Sequence, residues 1–176
     1  NGWRILEFWN GGFVFYGGAI LAAVCGFTFL HFQRDVQNET YLDLFAPVFS
    51  LSYLLGRIGC LLAGCCYGRY CDLPWALSQR HPTQLYASLW ELGVLIILLA
   101  AEKTERTARP KILRPQGAVF YLWISLHAAG RLLMEAFRDD FRGPTLGLSI
   151  SSWISVAILT IGLFFLLWKP TRANAP

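Results

Sequence analysis

LYASLWELGVLIILLAA, residues 85–101, contains a single charged side chain, Glu91. A stretch of this length and apolarity predicts a helix that crosses a bilayer, which takes about 20 residues. Backbone groups in lipid have to satisfy one another within their own segment, so a helix is favoured over an open strand. A β-barrel would need strands that alternate apolar and polar residues over about ten positions, and these residues do not alternate.

Four further stretches have the same character and extend the prediction to the whole chain. They cover about residues 13–32, 44–64, 117–137 and 148–168. The sequence therefore predicts an all-α fold, a polytopic transmembrane helix bundle of about five helices. Residues 1–170 are expected to form a single transmembrane domain, and residues 171–176 a polar C-terminal tail.

The composition agrees with lipid as the solvent. Of the 176 residues, 55% are hydrophobic and 15% are charged, and the mean hydropathy is +0.44, whereas soluble domains carry about 25% charged residues. Seven Trp, seven Tyr and 13 Phe suit aromatic belts at the two membrane interfaces. The apolar composition predicts the lipid bilayer as a partner. The net charge of +4 is small, so nucleic acid is not a predicted partner.

Loop charge predicts the orientation in the membrane. The N-terminal segment and the loops near 65–84 and 138–147 carry five Arg residues, and the other side carries eight Lys and Arg residues. The positive-inside rule places the second side in the cytoplasm. The C-terminus is then expected to be cytoplasmic and residue 1 periplasmic.

Ionisable residues within or at the edge of the apolar stretches need a reason to be there. A charge near the bilayer centre costs about 2.5–3.5 kcal/mol, so such residues face the bundle interior or a wet cavity. Arg131 and Glu135 are four residues apart on one helix face, which a structural ion pair would explain. The alternative is an anion-binding cavity in which Arg57, Arg131 and Arg138 hold the phosphate of a phospholipid headgroup.

The five cysteines are an odd number, which argues against a fully paired disulfide framework. Cys60, Cys65, Cys66 and Cys71 lack the usual two-residue spacing of metal ligands, so no metal site is predicted. A periplasmic disulfide that involves Cys71 remains open, beside inert, small apolar side chains for the others.

Four segments, in this order, resemble the motifs of the prolipoprotein diacylglyceryl transferase family. They are WNGGFVFYGG at 9–18, GRIGCLLAGCCYGR at 56–69, RHPTQLY at 80–86 and GRLLMEAFR at 130–138. Each segment is weak evidence alone. Four in register, with similar spacing, make the resemblance specific over about residues 9–142.

The resemblance implies a bacterial inner-membrane enzyme of seven helices. Because the chain begins at Asn1 and its one Met is Met134, it is interpreted as an N-terminally truncated piece with five of those helices. Such an enzyme moves the diacylglyceryl group of phosphatidylglycerol onto the lipobox cysteine thiol of a prolipoprotein signal peptide, and glycerol 1-phosphate leaves. No metal or organic cofactor is implied.

Carried over by motif, the resemblance also implies roles for individual residues. Arg57 and Arg131 would hold the phosphate, Glu135 would orient Arg131 or bind the headgroup glycerol, and Arg138 would support them. The implied catalytic residues are Arg57, Arg131, Glu135, Tyr16 and His81. The implied substrate-binding residues are Arg57, Arg138, Gly17, Gly18, Gly59, Gly64 and Tyr86.

The chain departs from the family pattern at positions that matter for chemistry. The His of the family's first motif is Tyr16 here, and the signature's Asn, Asn and Glu are Cys60, Ala63 and Cys65. A tyrosine has a pKa of about 10 and is a poor base. The chain is therefore interpreted as a divergent member of the family.

The loss of the family's His leaves two other histidines as candidates for the base. His81 precedes the third stretch, and His127 lies four residues before Arg131, so each is suited either to acid–base chemistry or to packing. A non-catalytic lipid- or lipoprotein-binding paralogue is the alternative function. A transporter or channel would favour paired broken helices, which the sequence lacks.

Overall fold

The computed structural model describes residues 24–26, 28, 38–104, 110–113, 115–138 and 149–173. The chain divides into two compact units, Asn1–Asn38 and Glu39–Pro176, and the second is considered below. Its helices are α1 (Asn38–Leu62), α2 (Thr83–Lys103), α3 (Ala118–Glu135) and α4 (Ile150–Ala173), with a 3-10 helix at Lys111–Leu113.

The four α-helices coincide with four of the five predicted spans, and the all-α prediction is confirmed for the described part of the chain. The first predicted span, residues 13–32, lies almost wholly outside the described residues. Helix α4 continues to Ala173 and so enters the segment 171–176 that the sequence predicts as a tail.

Among the described residues, three helices are long and apolar enough, by length and composition, to cross a membrane. They cover Glu39–Leu62, Thr83–Lys103 and Ser151–Trp168. Helix α3 is not among them, because His127, Arg131 and Glu135 lower its hydropathy. It packs against α2 on one side and α4 on the other, so its polar groups have protein neighbours.

The distribution of polar side chains is the reverse of that in a soluble protein. Large apolar side chains face outward, such as Ile96 and Phe164, which are 60% and 56% exposed. The buried polar side chains include Ser50, Gln84, Ser88, Glu91 and Ser125. Lipid as the surrounding solvent accounts for both observations, because exposed apolar patches of this extent are rare in soluble monomers.

The apolar core lies where α1, α2 and α3 meet. Ala46 of α1, Val94 and Leu98 of α2, and Val119 of α3 are buried together there. Partly buried aromatic and aliphatic side chains of α2 and α3 surround these four residues. This packing fixes the faces that α2 and α3 turn toward each other.

The Asp43 carboxylate connects α1 to the start of α3. It accepts hydrogen bonds from the backbone N–H groups of Gly117 at 2.8 Å and Phe120 at 2.9 Å. The first N–H groups of a helix have no partner within the helix, and the helix dipole favours a negative charge there. Asp43 therefore fixes where α3 begins.

Glycine allows α3 to approach both of its neighbours closely. A Cβ atom at Gly130 of α3 would overlap the indole ring of Trp90 on α2. A Cβ atom at Gly162 of α4 would overlap the Ser125 side chain of α3. Small residues at such crossings are typical of membrane helices, whose association depends on close packing.

We expect Gly130→Ala to lower the stability of the protein by about 1–3 kcal/mol, the usual cost of overpacking. The Trp90 indole cannot move freely, because its Nε1 donates to the Leu126 carbonyl at 3.0 Å. Heat-induced loss of helical circular dichroism in detergent measures the effect. Gly93→Ala on α2 is the matched control, since its Cβ meets nothing within 4 Å. Equal stability of the two variants would contradict the packing described for Gly130.

Candidate functional site

A buried carboxylate connects three helices in the interior of the bundle. Glu91 of α2 is 1% exposed. Its Oε1 accepts a hydrogen bond from the indole N–H of Trp123 on α3 at 3.1 Å, and its Oε2 lies 3.1 Å from Nδ1 of His127. Its backbone carbonyl accepts from the Ser50 hydroxyl of α1 at 3.2 Å. Glu91 is thus bonded to both α1 and α3.

Glu91 sets the orientation of the His127 ring. An ionised carboxylate only accepts, so it draws the imidazole proton to Nδ1 and leaves the lone pair of Nε2 available. The Tyr53 ring meets the His127 ring edge-on at 4.6 Å, and the Trp123 ring lies 5.5 Å from it. The rings of Tyr53 and Trp123 and the hydrogen bond to Glu91 hold the imidazole in place.

The same residues line a pocket that also contains an arginine. The pocket is small, with a cavity volume of about 10 Å³, close to the space of one water molecule. The residues lining it are Tyr53, Ala87, Trp90, Glu91, His127, Gly130, Arg131 and Met134. Arg131 follows His127 by one helical turn, and the two side chains therefore reach the pocket from one face of α3.

Arg57 lies beside this pocket. Its guanidinium is stacked over the Tyr53 ring, 4.9 Å from the ring centroid. The Tyr53 hydroxyl is buried without a hydrogen-bond partner among the described residues. Tyr53 thus lies between Arg57 on one side and His127 on the other, with an unsatisfied polar atom.

Glu135 is bonded to the start of α4 and not to Arg131. The Ser149 hydroxyl donates to its Oε1 at 2.5 Å, and the Ser151 hydroxyl donates to its Oε2 at 3.3 Å. Within the described residues, the one ion pair is that of His127 with Glu91. The structural ion pair considered for Arg131 and Glu135 is therefore absent from that part of the chain, and Arg131 has no carboxylate partner there.

His81 lies in a second cluster, in the loop between α1 and α2. Its Nδ1 is 3.3 Å from the Tyr86 hydroxyl, which also accepts a hydrogen bond from the Trp75 indole at 2.8 Å. The Phe137 ring packs against both His81 and Tyr86, at 5.3 and 5.6 Å. The predicted site residues His81 and Tyr86 are therefore neighbours, and they join the loop to the end of α3.

Backbone contacts strengthen this connection. The Arg69 N–H donates to the Phe137 carbonyl, and the Arg69 Nε to the Arg138 carbonyl, both at 2.9 Å. Gly68 is required in this position, because a Cβ atom would overlap the Phe137 carbonyl. Arg138 is buried and lies with this loop, so the structure does not bring all three predicted arginines together.

The turn after α1 is held by two side chains of α2. The Thr83 hydroxyl donates to the Cys66 carbonyl at 2.8 Å, and the Gln84 amide donates to the Cys65 carbonyl. Gly64 has φ +65 and allows the chain to turn there. The predicted Gly64 therefore has a conformational role, and Gly59 has open space around its Cα within the described residues.

All five cysteines are free thiols in the structure. The sulfur atoms of Cys60, Cys65 and Cys66 all lie within 4.8 Å of one another. A hydrogen bond between the Cys65 and Cys66 thiols, together with desolvation, raises the pKa of Cys65 to about 11. At neutral pH the Cys65 thiol therefore stays protonated.

The structure brings some predicted site residues together and separates others. Arg131 and Arg57 lie in or beside the pocket, His81 and Tyr86 lie in the loop cluster, and Glu135 lies against α4. The predicted residues Tyr16, Gly17 and Gly18 lie outside the described residues. Sequence analysis did not identify Tyr53 or Trp123, although the position of Trp123 four residues before His127 places both on one helix face.

Comparison with known proteins gives a consistent result. A family model described as prolipoprotein diacylglyceryl transferase matches residues 1–168. A protein of Clostridium tetani is 34% identical over 173 residues, which cover 92% of this chain and 66% of the relative. A protein of Cupriavidus metallidurans is 32% identical and is covered to 64%, with 97% of this chain matched. One of Gloeobacter violaceus is 30% identical, with 99% of this chain and 68% of the relative covered.

All three relatives are named phosphatidylglycerol–prolipoprotein diacylglyceryl transferase. The chain spans about two thirds of the length of these relatives. The match covers nearly the whole of the present chain, including all four segments on which the sequence resemblance rests. The predicted resemblance is thereby confirmed.

We expect Glu91→Leu to destabilise the protein, because it leaves the partly buried N–H groups of Trp123 and His127 without their acceptor. An unsatisfied buried donor costs about 1–3 kcal/mol. Glu91→Gln keeps one acceptor oxygen and should cost less. Thermal unfolding in detergent compares the two variants, and a Leu variant as stable as the wild type would contradict the connecting role of Glu91.

Proposed function

This chain belongs to the prolipoprotein diacylglyceryl transferase family, and on that premise we propose that it transfers the diacylglyceryl group of phosphatidylglycerol to a prolipoprotein cysteine. The observation that carries the proposal is the pocket, in which an oriented imidazole and a guanidinium without a carboxylate partner among the described residues lie on one face of α3. The imidazole suits removal of a thiol proton, and the guanidinium suits binding of a phosphate.

The proposed reaction joins these two functions. His127 Nε2 accepts the proton of the lipobox cysteine, because the thiolate is the nucleophile. The thiolate sulfur attacks the carbon of the diacylglyceryl group that is bonded to the phosphate oxygen. A C–S bond forms and the bond between that carbon and the phosphate oxygen breaks. Glycerol 1-phosphate leaves with the bonding electrons. The phosphodiester carries one negative charge and the departing monoester carries a second, so the charge at phosphate increases in this step.

Arginine is the residue that this increase in charge requires. Arg131 has no carboxylate partner among the described residues and lines the pocket, and its fork of N–H donors fits two phosphate oxygens. The Arg57 guanidinium, which stacks on the Tyr53 ring, adds a second positive charge. The unsatisfied Tyr53 hydroxyl is positioned to bond the headgroup. Glu135 and Arg138 are assigned supporting roles, through α4 and the loop respectively.

His127 is favoured over His81 as the base. His127 lies in the pocket with Arg131 and is held by a buried carboxylate. His81 is engaged with Tyr86 and Phe137 in the loop. In this proposal His81 and Tyr86 position the loop, and His127 acts as the base. Tyr16, which stands where the family has His, is a poor base.

The proposed location is the bacterial inner membrane, with the lipobox peptide and phosphatidylglycerol approaching from the bilayer. The orientation predicted from loop charge has the α1–α2 loop outside and the C-terminus in the cytoplasm. That orientation suits a substrate whose signal peptide has already entered the membrane. No cofactor enters the proposed reaction, because the substrate thiol supplies the nucleophile and phosphate supplies the leaving group.

The test uses the full-length protein in detergent with phosphatidylglycerol and a lipobox peptide. We expect release of glycerol phosphate and a peptide mass increase equal to one diacylglyceryl group. Arg131→Ala should lower the rate by about a hundredfold to a thousandfold, the usual effect of removing a group that stabilises transition-state charge. Arg80→Ala is the matched control, since Arg80 stacks on Tyr70 in the loop.

Two results would count against this account. A folded protein that binds phosphatidylglycerol and releases no glycerol phosphate would instead be the non-catalytic paralogue, which the replacement of the family's His, Asn and Glu residues motivates. An Arg131→Ala variant with the wild-type rate would exclude the role of Arg131 at the phosphate while leaving the activity itself established.

The assignment of the base predicts a difference between the two histidines. We expect His127→Gln to lower the transfer rate by about a hundredfold or more, and His81→Gln to have a smaller effect. If His81→Gln lowers the rate as much as His127→Gln does, in variants that unfold at the wild-type temperature, the assignment is wrong.

A further inference from the structure

Three thiols that the proposed reaction does not use meet at the end of α1. Cys60 lies in the last turn of α1, and Cys65 and Cys66 lie in the turn that follows. Their sulfur atoms lie within 4.8 Å of one another. The Cys66 thiol donates to the Cys65 sulfur at 3.2 Å, and the Cys65 thiol to the Cys60 carbonyl at 3.6 Å.

The backbone that carries these thiols is held independently of the sulfur atoms. The Cys65 N–H donates to the Cys60 carbonyl at 3.1 Å, which folds the turn back onto the helix. Cys66 has φ +67, a left-handed conformation that is uncommon for a residue with a side chain. Such a conformation persists only where the surroundings impose it.

Buried side chains of α2 impose it here. Thr83 and Gln84 are 3% and 0% exposed, and they donate to the carbonyls of Cys66 and Cys65. The Cys65 and Cys66 side chains are exposed and Cys60 is half-buried. The turn is therefore held through its backbone carbonyls, while two of the three cysteines are exposed and the third is partly exposed.

This geometry is close to that of a thiolate metal site. Zinc binds thiolate sulfur at about 2.3 Å, so two sulfurs on one tetrahedral ion lie about 3.8 Å apart. The three sulfurs lie within 4.8 Å of one another, so they would have to approach by about 1 Å at most, which rotation about Cα–Cβ allows. Soft thiolate ligands select Zn²⁺ and Cu⁺ over Mg²⁺ or Ca²⁺.

We propose that Cys60, Cys65 and Cys66 form a binding site for a soft cation of the Zn²⁺ class. Three thiols lose their protons to solvent, three metal–sulfur bonds form, and water occupies the fourth position of a tetrahedral ion. Cys60 and Cys65 stand where the resembled signature has Asn and Glu. The site is accordingly a property of this chain and not of the resembled signature.

The full-length protein, purified in detergent under reducing and then anaerobic conditions, provides the test. Co²⁺ is the spectroscopic probe, because thiolate coordination gives an intense near-ultraviolet charge-transfer band. We expect that band to appear with one equivalent of Co²⁺ and to disappear when Zn²⁺ displaces it. Zn²⁺ affinity is then measured by competition with a chromophoric chelator.

Single Cys→Ser variants assign the ligands. Cys60→Ser, Cys65→Ser and Cys66→Ser should each weaken Zn²⁺ binding by more than about a hundredfold, because loss of even a group that supports a ligand costs about ten- to a hundredfold. Cys71→Ser is the matched control and should bind as the wild type does, since its sulfur lies outside the cluster. Thermal unfolding of each variant shows that the fold is retained.

Three outcomes would overturn the proposal. The first is a Co²⁺ spectrum without the thiolate band, and the second is equal Zn²⁺ affinity in the wild type and a folded triple Ser variant. The third is a disulfide among the three cysteines in protein prepared without reductant, detected by alkylation and mass spectrometry as two missing thiols. A disulfide would mean that two of these cysteines are paired by oxidation and that the three do not form a metal site.

Discussion

The rest of the described structure depends on one carboxylate that is buried among apolar helices. Glu91 cannot be solvated by lipid, so its oxygens have to be satisfied by donors from the protein. Trp123 and His127 supply those donors from α3. This requirement fixes the rotation of α2 and α3 about their axes, and that rotation in turn points Arg131 into the pocket. Packing between apolar faces alone would define the rotation of each helix about its axis less sharply, because lipid tails are as apolar as those faces.

The same principle explains the α1–α2 loop and the start of α4. Backbone carbonyls of the turn after α1 are satisfied by Thr83 and Gln84, and the Glu135 carboxylate is satisfied by serine hydroxyls. In each place a polar group from one helix satisfies a group from another segment. A protein that spans a bilayer needs such internal polar contacts, because water is scarce there.

The sequence was sufficient to predict the helices but not their mutual contacts. Residues 85–101 predict α2 because a long apolar segment with one charged residue satisfies its backbone groups in lipid by forming a helix. Glu135 was expected near Arg131 from helix periodicity, yet its carboxylate meets serines of α4, because periodicity describes one helix and not its neighbours. Cysteine spacing likewise gives no sign that Cys65 and Cys66 return to Cys60, since that depends on the turn at Gly64. The segment with Tyr16 stays a sequence prediction.

A structure of the full-length protein with phosphatidylglycerol bound would test the central claim most directly. The account predicts that the lipid phosphate lies within hydrogen-bond distance of the Arg131 guanidinium, with the glycerol carbon to be attacked facing Nε2 of His127. A lipid whose phosphate lies against His81 and Tyr86 in the loop, with the pocket between α1, α2 and α3 filled by acyl chain or left without lipid, would contradict it.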